Sequence, residues 1–219
     1  MPRRFRRRSL HSRRSATARL APPKQFPRLL DIGCGIGRVT EGLAARGFHV
    51  TGIDANLNAL RRARQVTTGG RFVALDFRHL GHMRWTFDVV TSYWNSIGFG
   101  TRTDDEDVLR GVRNILRPNG RVLLELYHPD WLAAHQLRDV ADPRGATVDR
   151  WVEDGRSCHS FRYVDGSSDD IRFNVYRPDE MVRVLNRAGF TVEHQLVWWK
   201  TEQVPGPDHA RYQLVAARL

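Results

Sequence analysis

Two hydrophobic periods alternate along the chain. Short apolar runs, typical of buried strands, are separated by stretches in which apolar residues recur every three or four positions, as in amphipathic helices. The predicted strands are 29–32, 49–54, 71–75, 87–91 and 121–126, and the predicted helices are about 37–46, 57–65 and 103–116. This order predicts an α/β fold with a doubly wound, mostly parallel sheet.

The second half of the chain is less regular. Residues 127–170 carry no sustained period, whereas 160–164 and 170–176 flank an Asp-Gly-Ser-Ser turn and predict a β-hairpin. A helix over 178–188 and two final strands over 190–199 and 211–219 follow. We expect one domain over 25–219, in which 127–176 is an insertion that covers a ligand pocket as a lid.

The most informative stretch is Leu29–Thr40, which reads LLDIGCGIGRVT. Three alternating glycines, Gly33, Gly35 and Gly37, lie between the first strand and the first helix. Glycine permits positive φ and the close approach of a ligand, and the N–H groups at a helix start attract the ligand's negative end. The pattern predicts a cofactor cradle, and its spacing differs from the G-x-G-x-x-G of nicotinamide and flavin binders.

Asp54 lies at the end of the second predicted strand, 17 positions after Gly37. A carboxylate there can accept hydrogen bonds from both hydroxyls of a ribose, one on each oxygen. The alternative is an acid that favours the start of the helix beginning near Asn56. Because the glycine loop precedes it, the ribose interpretation is the better one.

The pattern D-x-G-x-G-x-G from Asp31 to Gly37 resembles motif I of the class I S-adenosylmethionine-dependent methyltransferases. The helix, Pro-Asn-Gly turn and apolar strand over 103–126 also resemble this family, so the similarity covers residues 28–126. The resemblance implies S-adenosylmethionine as the cofactor. It also implies a Rossmann-like seven-stranded sheet with an antiparallel edge strand.

The resemblance also implies roles for individual residues. Asp76 would accept the adenine amino group and Phe77 would pack against the ring, although an ordinary loop acid is the alternative for Asp76. The expected cofactor-binding residues are Asp31, Gly33, Cys34, Gly35, Gly37, Asp54, Ala55, Asp76, Phe77 and Tyr93.

The methyl acceptor is expected beside loop 92–99, because ligands of open α/β sheets bind at the carboxyl ends of strands. Tyr93, Trp94 and Asn95 would then face the reacting methyl group, or Tyr93 and Trp94 would only pack. The stretch NSIGF resembles small-molecule methyltransferases, including some that modify amino sugars. The loop lacks the Asp/Asn-Pro-Pro-aromatic motif of enzymes that methylate amino groups of DNA bases.

His128 is the candidate general base, and Tyr93 and Asn95 are the other catalytic candidates. An imidazole with a pKa near ~6.5 can take a proton from a hydroxyl or an ammonium group at neutral pH, while a structural histidine is the alternative. Tyr93, Asn95 and Asp130 are the second-rank candidates for holding the acceptor. Because no further ligands lie at metal-binding spacing from His128 and Asp130, no metal is expected.

The net charge of +11 is concentrated near one end of the 219-residue chain. Nine basic residues lie within 1–24 and no acid precedes Asp31, which leaves +2 for the remainder. This Arg- and Ser-rich segment is predicted to be a disordered basic tail. A solvated tail or a misassigned start codon is favoured over a transit peptide or a nucleic-acid-binding arm, and a secretory signal is excluded by the missing apolar core.

Three functions are compatible with these patterns. The leading one is methyl transfer to oxygen or nitrogen of a small-molecule acceptor in specialised metabolism. An RNA or protein methyltransferase that uses the basic tail and a catalytically silent S-adenosylmethionine-binding module are the alternatives, so nucleic acid is the less favoured partner. No apolar stretch approaches the ~18 residues that a membrane helix requires. Cys34 and Cys158 form no disulfide framework, which fits a cytoplasmic location, and the oligomeric state is left open.

Overall fold

The computed structural model describes residues 3–142, 145–200 and 203–219. Residues 1–2 of the predicted tail and 143–144 of the predicted insertion lie outside the described residues. The strands are β1 (Arg28–Ile32), β2 (His49–Asp54), β3 (Arg71–Ala74), β4 (Phe87–Ser92), β5 (Leu116–Tyr127), β6 (Leu137–Asp142), β7 (Ala146–Glu153), β8 (Arg156–Tyr163), β9 (Ser168–Asn174), β10 (Phe190–Leu196) and β11 (Arg211–Arg218). The α-helices are α1 (Arg3–Leu20), α2 (Arg38–Ala44), α3 (Leu57–Val66), α4 (Arg102–Ile115), α5 (Pro129–Ala134) and α6 (Pro178–Arg187), and a 3₁₀ helix spans Phe77–His82.

Seven strands form the predicted Rossmann-like sheet, in the order β10-β11-β5-β4-β1-β2-β3. Strands β1 to β5 pair in parallel, and β11 runs antiparallel to both of its neighbours, β5 and β10. The fold class is therefore confirmed. Strand order reverses between β1 and β4, and this reversal opens a crevice at the carboxyl ends of the strands.

Each face of the sheet packs on its own hydrophobic cluster, because successive side chains of a strand point to opposite faces. Leu30 and Ile32 of β1 belong to the cluster that includes residues of α4 and α6. Leu29 belongs to the cluster that includes residues of α1 and α2. Burial on both faces explains why these strands are continuous apolar runs rather than alternating ones.

The insertion forms a second sheet in the order β6-β7-β8-β9, all of it antiparallel. The predicted hairpin is confirmed as β8–β9, with Ser160 opposite Asp170. The expectation of irregular structure before it is wrong, because α5, β6 and β7 lie there. β7 is held by pairing with β8 along its whole length, which a local sequence window does not reveal.

The prediction of a disordered tail is wrong for the described part of residues 1–24, where Arg3–Leu20 form α1. The helix buries a stripe at the spacing i, i+3, i+4 and i+7, formed by Arg13, Ala16, Thr17 and Leu20. The stripe contains two apolar residues and one arginine, so its hydrophobic signal is weak. None of the helices within the described ranges is both long and apolar enough to span a bilayer.

Candidate active site

The glycine loop lies at the carboxyl end of β1 and has the backbone that its sequence predicts. Gly33, Gly35 and Gly37 have φ values of 67°, 53° and 76°, a region that disfavours residues with a Cβ atom. The Gly35 N–H donates to Asp54 Oδ2 at 2.8 Å, so the loop is fastened to the end of β2. The other carboxylate oxygen of Asp54 accepts the Asn56 N–H at 2.8 Å. The two strand ends thus share one hydrogen-bonded platform.

Asp31 stabilises the glycine loop through buried hydrogen bonds. The residue is 2% exposed, and its carboxylate accepts hydrogen bonds from the hydroxyls of Thr40, at 2.7 Å, and Thr91, at 3.0 Å. Burial raises the pKa of Asp31 to about 6, against the opposing effect of the two hydroxyl donors. These contacts join the ends of β1 and β4 to α2, so Asp31 fixes the geometry of the loop.

A cavity of about 90 Å³ lies beside the loop and is lined by polar backbone, one thiol and two aromatic rings. Cys34 lines it, and burial with the nearby Asp31 and Asp54 carboxylates raises the pKa of its thiol. The thiol therefore stays protonated at neutral pH. The full lining is Asp31, Gly33, Cys34, Gly35, Ile36, Arg38, Val39, Tyr93 and Trp94.

The segment after β3 lies at the same sheet edge. Asp76 caps the 3₁₀ helix by accepting the Arg78 N–H at 3.0 Å and forms an ion pair with the Arg78 guanidinium at 2.5 Å. That pair is the main reason why the pKa of Asp76 lies below its ordinary value. Phe77 packs partly buried against the core, and Ala55 is exposed beside Asp54.

Trp94 is held between two arginines. The Arg13 guanidinium lies 4.1 Å from its ring centre and the Arg38 guanidinium lies 5.5 Å from it. Trp94 and Asn95 have φ values of 54° and 61°, a left-handed pair of residues that costs roughly 1–3 kcal/mol per residue. This loop is strained where it passes the cavity, and α1 covers it.

The contacts of Tyr93 do not suit it to act as an acid or a base. Its hydroxyl lies 2.5 Å from the hydroxyl of Thr17 in α1, and its ring packs edge-on against Trp199. The side chain is 3% exposed, and burial is the main cause that raises its phenol pKa above the ordinary value. A phenol in this setting is a structural contact that also lines the cavity.

Asn95 is 1% exposed and fully engaged with backbone groups. Its Nδ2 donates to the carbonyls of Ile97 and Asn174 at 3.0 and 3.3 Å, and its Oδ1 accepts the Tyr127 N–H at 3.0 Å. The expectation that Asn95 contacts the acceptor does not fit this geometry. Asn95 instead ties the loop after β4 to β5 and to the second sheet.

His128 lies at the carboxyl end of β5, where its ring packs against Tyr212. The residue is 3% exposed, and its Nδ1 has no hydrogen-bond partner among the described residues. Burial is the main cause that lowers the His128 pKa, so the imidazole is neutral at pH 7. Asp130, two residues on, is paired with Arg177 at 2.7 Å.

Sequence reasoning missed the buried polar group behind Trp94. Glu125 of β5 is 3% exposed, receives Arg13 at 2.5 Å, and lies 3.6 Å from Arg211. It also accepts from Gln213 at 3.4 Å. The available signal was an acid within the apolar strand RVLLELY, since a charge is buried there only with a partner.

Comparison with known proteins gives a consistent result. A family model described as a methyltransferase domain matches residues 3–195. A ubiquinone biosynthesis O-methyltransferase of Pseudomonas aeruginosa is 36% identical over 105 residues, which are 44% of this chain and 43% of that protein. The chain spans about half the length of the curated relatives it matches.

Two solved structures share the fold along nearly the whole chain. The CcbJ methyltransferase from Streptomyces caelestis has a TM-score of 0.81 at 18% identity, covering 96% of this chain and 90% of that one. CalS10 from Micromonospora echinaspora, an amino pentose methyltransferase solved with S-adenosylmethionine bound, has a TM-score of 0.73 at 23% identity, covering 95% and 90%. At these identities the likeness establishes the fold alone.

Proposed function

The chain belongs to the class I S-adenosylmethionine-dependent methyltransferases, and from this we propose that it transfers a methyl group to oxygen or nitrogen of a small-molecule acceptor. The observation that carries the proposal is the Gly33–Gly37 loop, whose three positive-φ glycines are fastened to Asp54 at the carboxyl edge of the sheet. A loop of this kind binds a ligand through backbone N–H groups.

The residues of the loop fit the cofactor that the family uses. A Cβ atom at Gly35 would meet nothing within 4 Å, so the backbone there is open on the side of the cavity. Gly33 and Gly35 would hold the amino-acid end of the cofactor, and the Asp54 carboxylate retains lone pairs for the ribose hydroxyls. When bound, S-adenosylmethionine supplies a methyl group activated by its sulfonium.

Methyl transfer then depends mainly on how the protein positions the two bound reactants. Orienting two bound reactants is worth ~7–11 kcal/mol, whereas a general base contributes about 10²–10⁴-fold. His128 is the proposed base, because its imidazole is kept neutral by burial at the carboxyl end of β5. Asp76 and Phe77 remain the proposed adenine contacts, and they follow β3 at the same sheet edge.

The second sheet supports a small acceptor. Strands β6–β9 and α5 follow β5 directly, and the second sheet reaches the loop after β4 through the contact of Asn95 with Asn174. A sheet in this position would act as a lid over a covered pocket and define the acceptor. The alternative of an RNA or protein substrate requires the basic N-terminal segment to be a free arm. Arg13 within that segment is instead buried against Glu125.

Calorimetry with S-adenosylhomocysteine and, separately, with NAD⁺ tests the cofactor. We expect binding of S-adenosylhomocysteine alone, and preferential binding of NAD⁺ would overturn the proposal.

Incubation with methyl-labelled S-adenosylmethionine and fractionated cell extract tests the acceptor. The label is expected in the low-mass fraction, and its appearance in the RNA or protein fraction instead would refute a small-molecule acceptor.

A further inference from the structure

An aromatic surface lies beside the carboxyl end of β5, where the loop after β4 and the second sheet meet. Phe173 of β9 packs against Tyr127 and against His159, with ring centres 6.1 and 5.4 Å apart. Phe99 lies 5.7 Å from the same ring and is 53% exposed, so it forms an open rim. Trp131 of α5 packs with this group. We call these five residues the aromatic cluster.

Two arginines border the cluster. The Arg211 guanidinium lies 3.7 Å from the Tyr127 ring centre, and the Arg150 guanidinium lies 5.6 Å from the Trp131 ring centre. Arg150 is also close enough to His159 for its charge to lower the pKa of that imidazole, after the larger effect of burial. Both cations thus face the aromatic cluster and come from different strands, β7 and β11.

Each guanidinium keeps one nitrogen atom that no described residue satisfies, although Arg150 Nη2 donates to the His135 carbonyl at 2.5 Å. Buried nitrogen atoms of both, Arg150 Nε and Arg211 Nη1, have no hydrogen-bond partner among the described residues. Arg150 forms no ion pair within the described ranges, and Arg211 reaches Glu125 only at 3.6 Å, beyond hydrogen-bond distance. A buried donor without a partner costs about 1–3 kcal/mol, so these atoms are suited to receive a ligand.

The charged residues around the aromatic cluster also favour an anionic ligand. Glu125 is the carboxylate facing Arg211, and it is already bonded to Arg13 through two nitrogen atoms. Asp130, the acid of α5, is occupied by Arg177. The cluster therefore holds positive charge in excess of its neighbouring carboxylates, in a partly desolvated setting that strengthens its attraction for an anion.

We infer that the methyl acceptor carries an anionic group, a carboxylate or a phosphate, on a planar apolar body. The anionic group pairs with Arg150 and Arg211, and the body lies against Tyr127, Trp131 and Phe173. Arginine binds both kinds of anion through two parallel N–H bonds and packs on aromatic faces. This inference rests on the proposed function, since it names the acceptor class for the same crevice.

Ligand-observed NMR on the full chain with S-adenosylhomocysteine tests it with four small probes. Benzoate and phenyl phosphate are the two anionic arms, benzamide is the neutral analogue and benzamidine is the cationic one. We expect at least one anion to bind about tenfold or more tightly than benzamide, and the better anion identifies the group. Equal or undetectable binding of both anions and benzamide overturns the inference, as does preference for benzamidine.

Variants separate this site from general electrostatics. Arg150→Gln and Arg211→Gln are each expected to lower the anion affinity about tenfold, with Arg211→Lys as a milder change that keeps the charge. Arg162→Gln is the matched control, because Arg162 lies on the same second sheet and pairs with Asp149 at 2.6 Å. An equal loss in the control, or none in the two glutamine variants, would refute the assignment.

Calorimetry with S-adenosylhomocysteine on the same proteins distinguishes the two proposals. If the cofactor analogue binds but anions show no preference, the acceptor class is wrong and the methyl-transfer proposal stands. If the analogue does not bind to the wild-type chain, the proposed function itself fails.

Discussion

Arg13 and Glu125, 112 residues apart in sequence, form a buried ion pair between α1 and the centre of the sheet. The Arg13 Nε and Nη2 atoms lie 2.9 and 2.5 Å from Glu125 Oε2, and the two side chains are 5% and 4% exposed. The same guanidinium covers the Trp94 ring. This pair, together with the contact between the Thr17 and Tyr93 hydroxyls, therefore holds the first helix over the cavity beside the glycine loop.

Breaking this pair should destabilise the protein strongly. Arg13→Gln leaves the Glu125 charge buried with a poor partner, so we expect the free energy of unfolding to fall by about 3–5 kcal/mol in urea denaturation. Arg110→Gln is the control, because it removes an exposed pair with Glu106 and should cost less than about 1 kcal/mol. Equal losses of unfolding free energy in the two variants would show that the buried pair contributes no more to stability than the exposed pair.

Gly35 and Gly166 allow a matched test of the cofactor loop. Their φ values are 53° and 83°, and a Cβ atom at either would meet nothing within 4 Å. Alanine at either position should therefore cost about 1–2 kcal/mol of backbone strain. Only Gly35→Ala should weaken the binding of S-adenosylhomocysteine in calorimetry, since Gly166 lies in the β8–β9 turn. Unchanged affinity in Gly35→Ala would place the ligand elsewhere.

Asn95 should behave as a structural residue. Asn95→Ala leaves the Tyr127 N–H and the carbonyls of Ile97 and Asn174 without a buried partner, a loss on the order of 3 kcal/mol in unfolding experiments. Asn58→Ala, which removes one exposed contact with Arg61, is the control and should be nearly neutral. A stable Asn95→Ala protein would restore the idea that this side chain is free to meet the acceptor.

Asp31 should give the protein a measurable pH dependence. Its pKa is raised by burial to about 6 in the folded state, above the ordinary value, so the folded state binds the proton more tightly. Stability from this group is present at low pH and is lost as the pH rises from about 4 to about 6, by roughly 3 kcal/mol. The free energy of unfolding of Asp31→Asn minus that of the wild type should therefore grow between pH 4 and pH 7. A constant difference would contradict the raised pKa.

Local pattern was sufficient for most of the main sheet. β2 spans His49–Asp54 as predicted, and β1, β4, α4 and α6 agree within a few residues, because each is set by a continuous period and clear end signals. The glycine loop was likewise predictable, since positive φ at Gly33, Gly35 and Gly37 follows from residue type.

Long-range pairing explains what the sequence did not predict. The order of α1 depends on Glu125, 112 positions beyond Arg13, and no window around the arginines contains that information. The proposed roles of Arg150 and Arg211 likewise depend on long-range packing, because Arg150 of β7 lies over Trp131 of α5 and Arg211 of β11 lies over Tyr127 of β5. Asn95 was assigned to the acceptor because its place after β4 was predictable, whereas its contacts with Tyr127 and Asn174 were not.

The position of β11 has a consequence for biosynthesis. This strand follows the other described strands in the sequence, yet it inserts between β10 and β5. Until residues 211–218 are in place, β5 presents a row of unpaired backbone N–H and C=O groups along the edge that β11 covers. Insertion of residues 211–218 is therefore the step that removes this edge, and a delay in that step would prolong its exposure to aggregation.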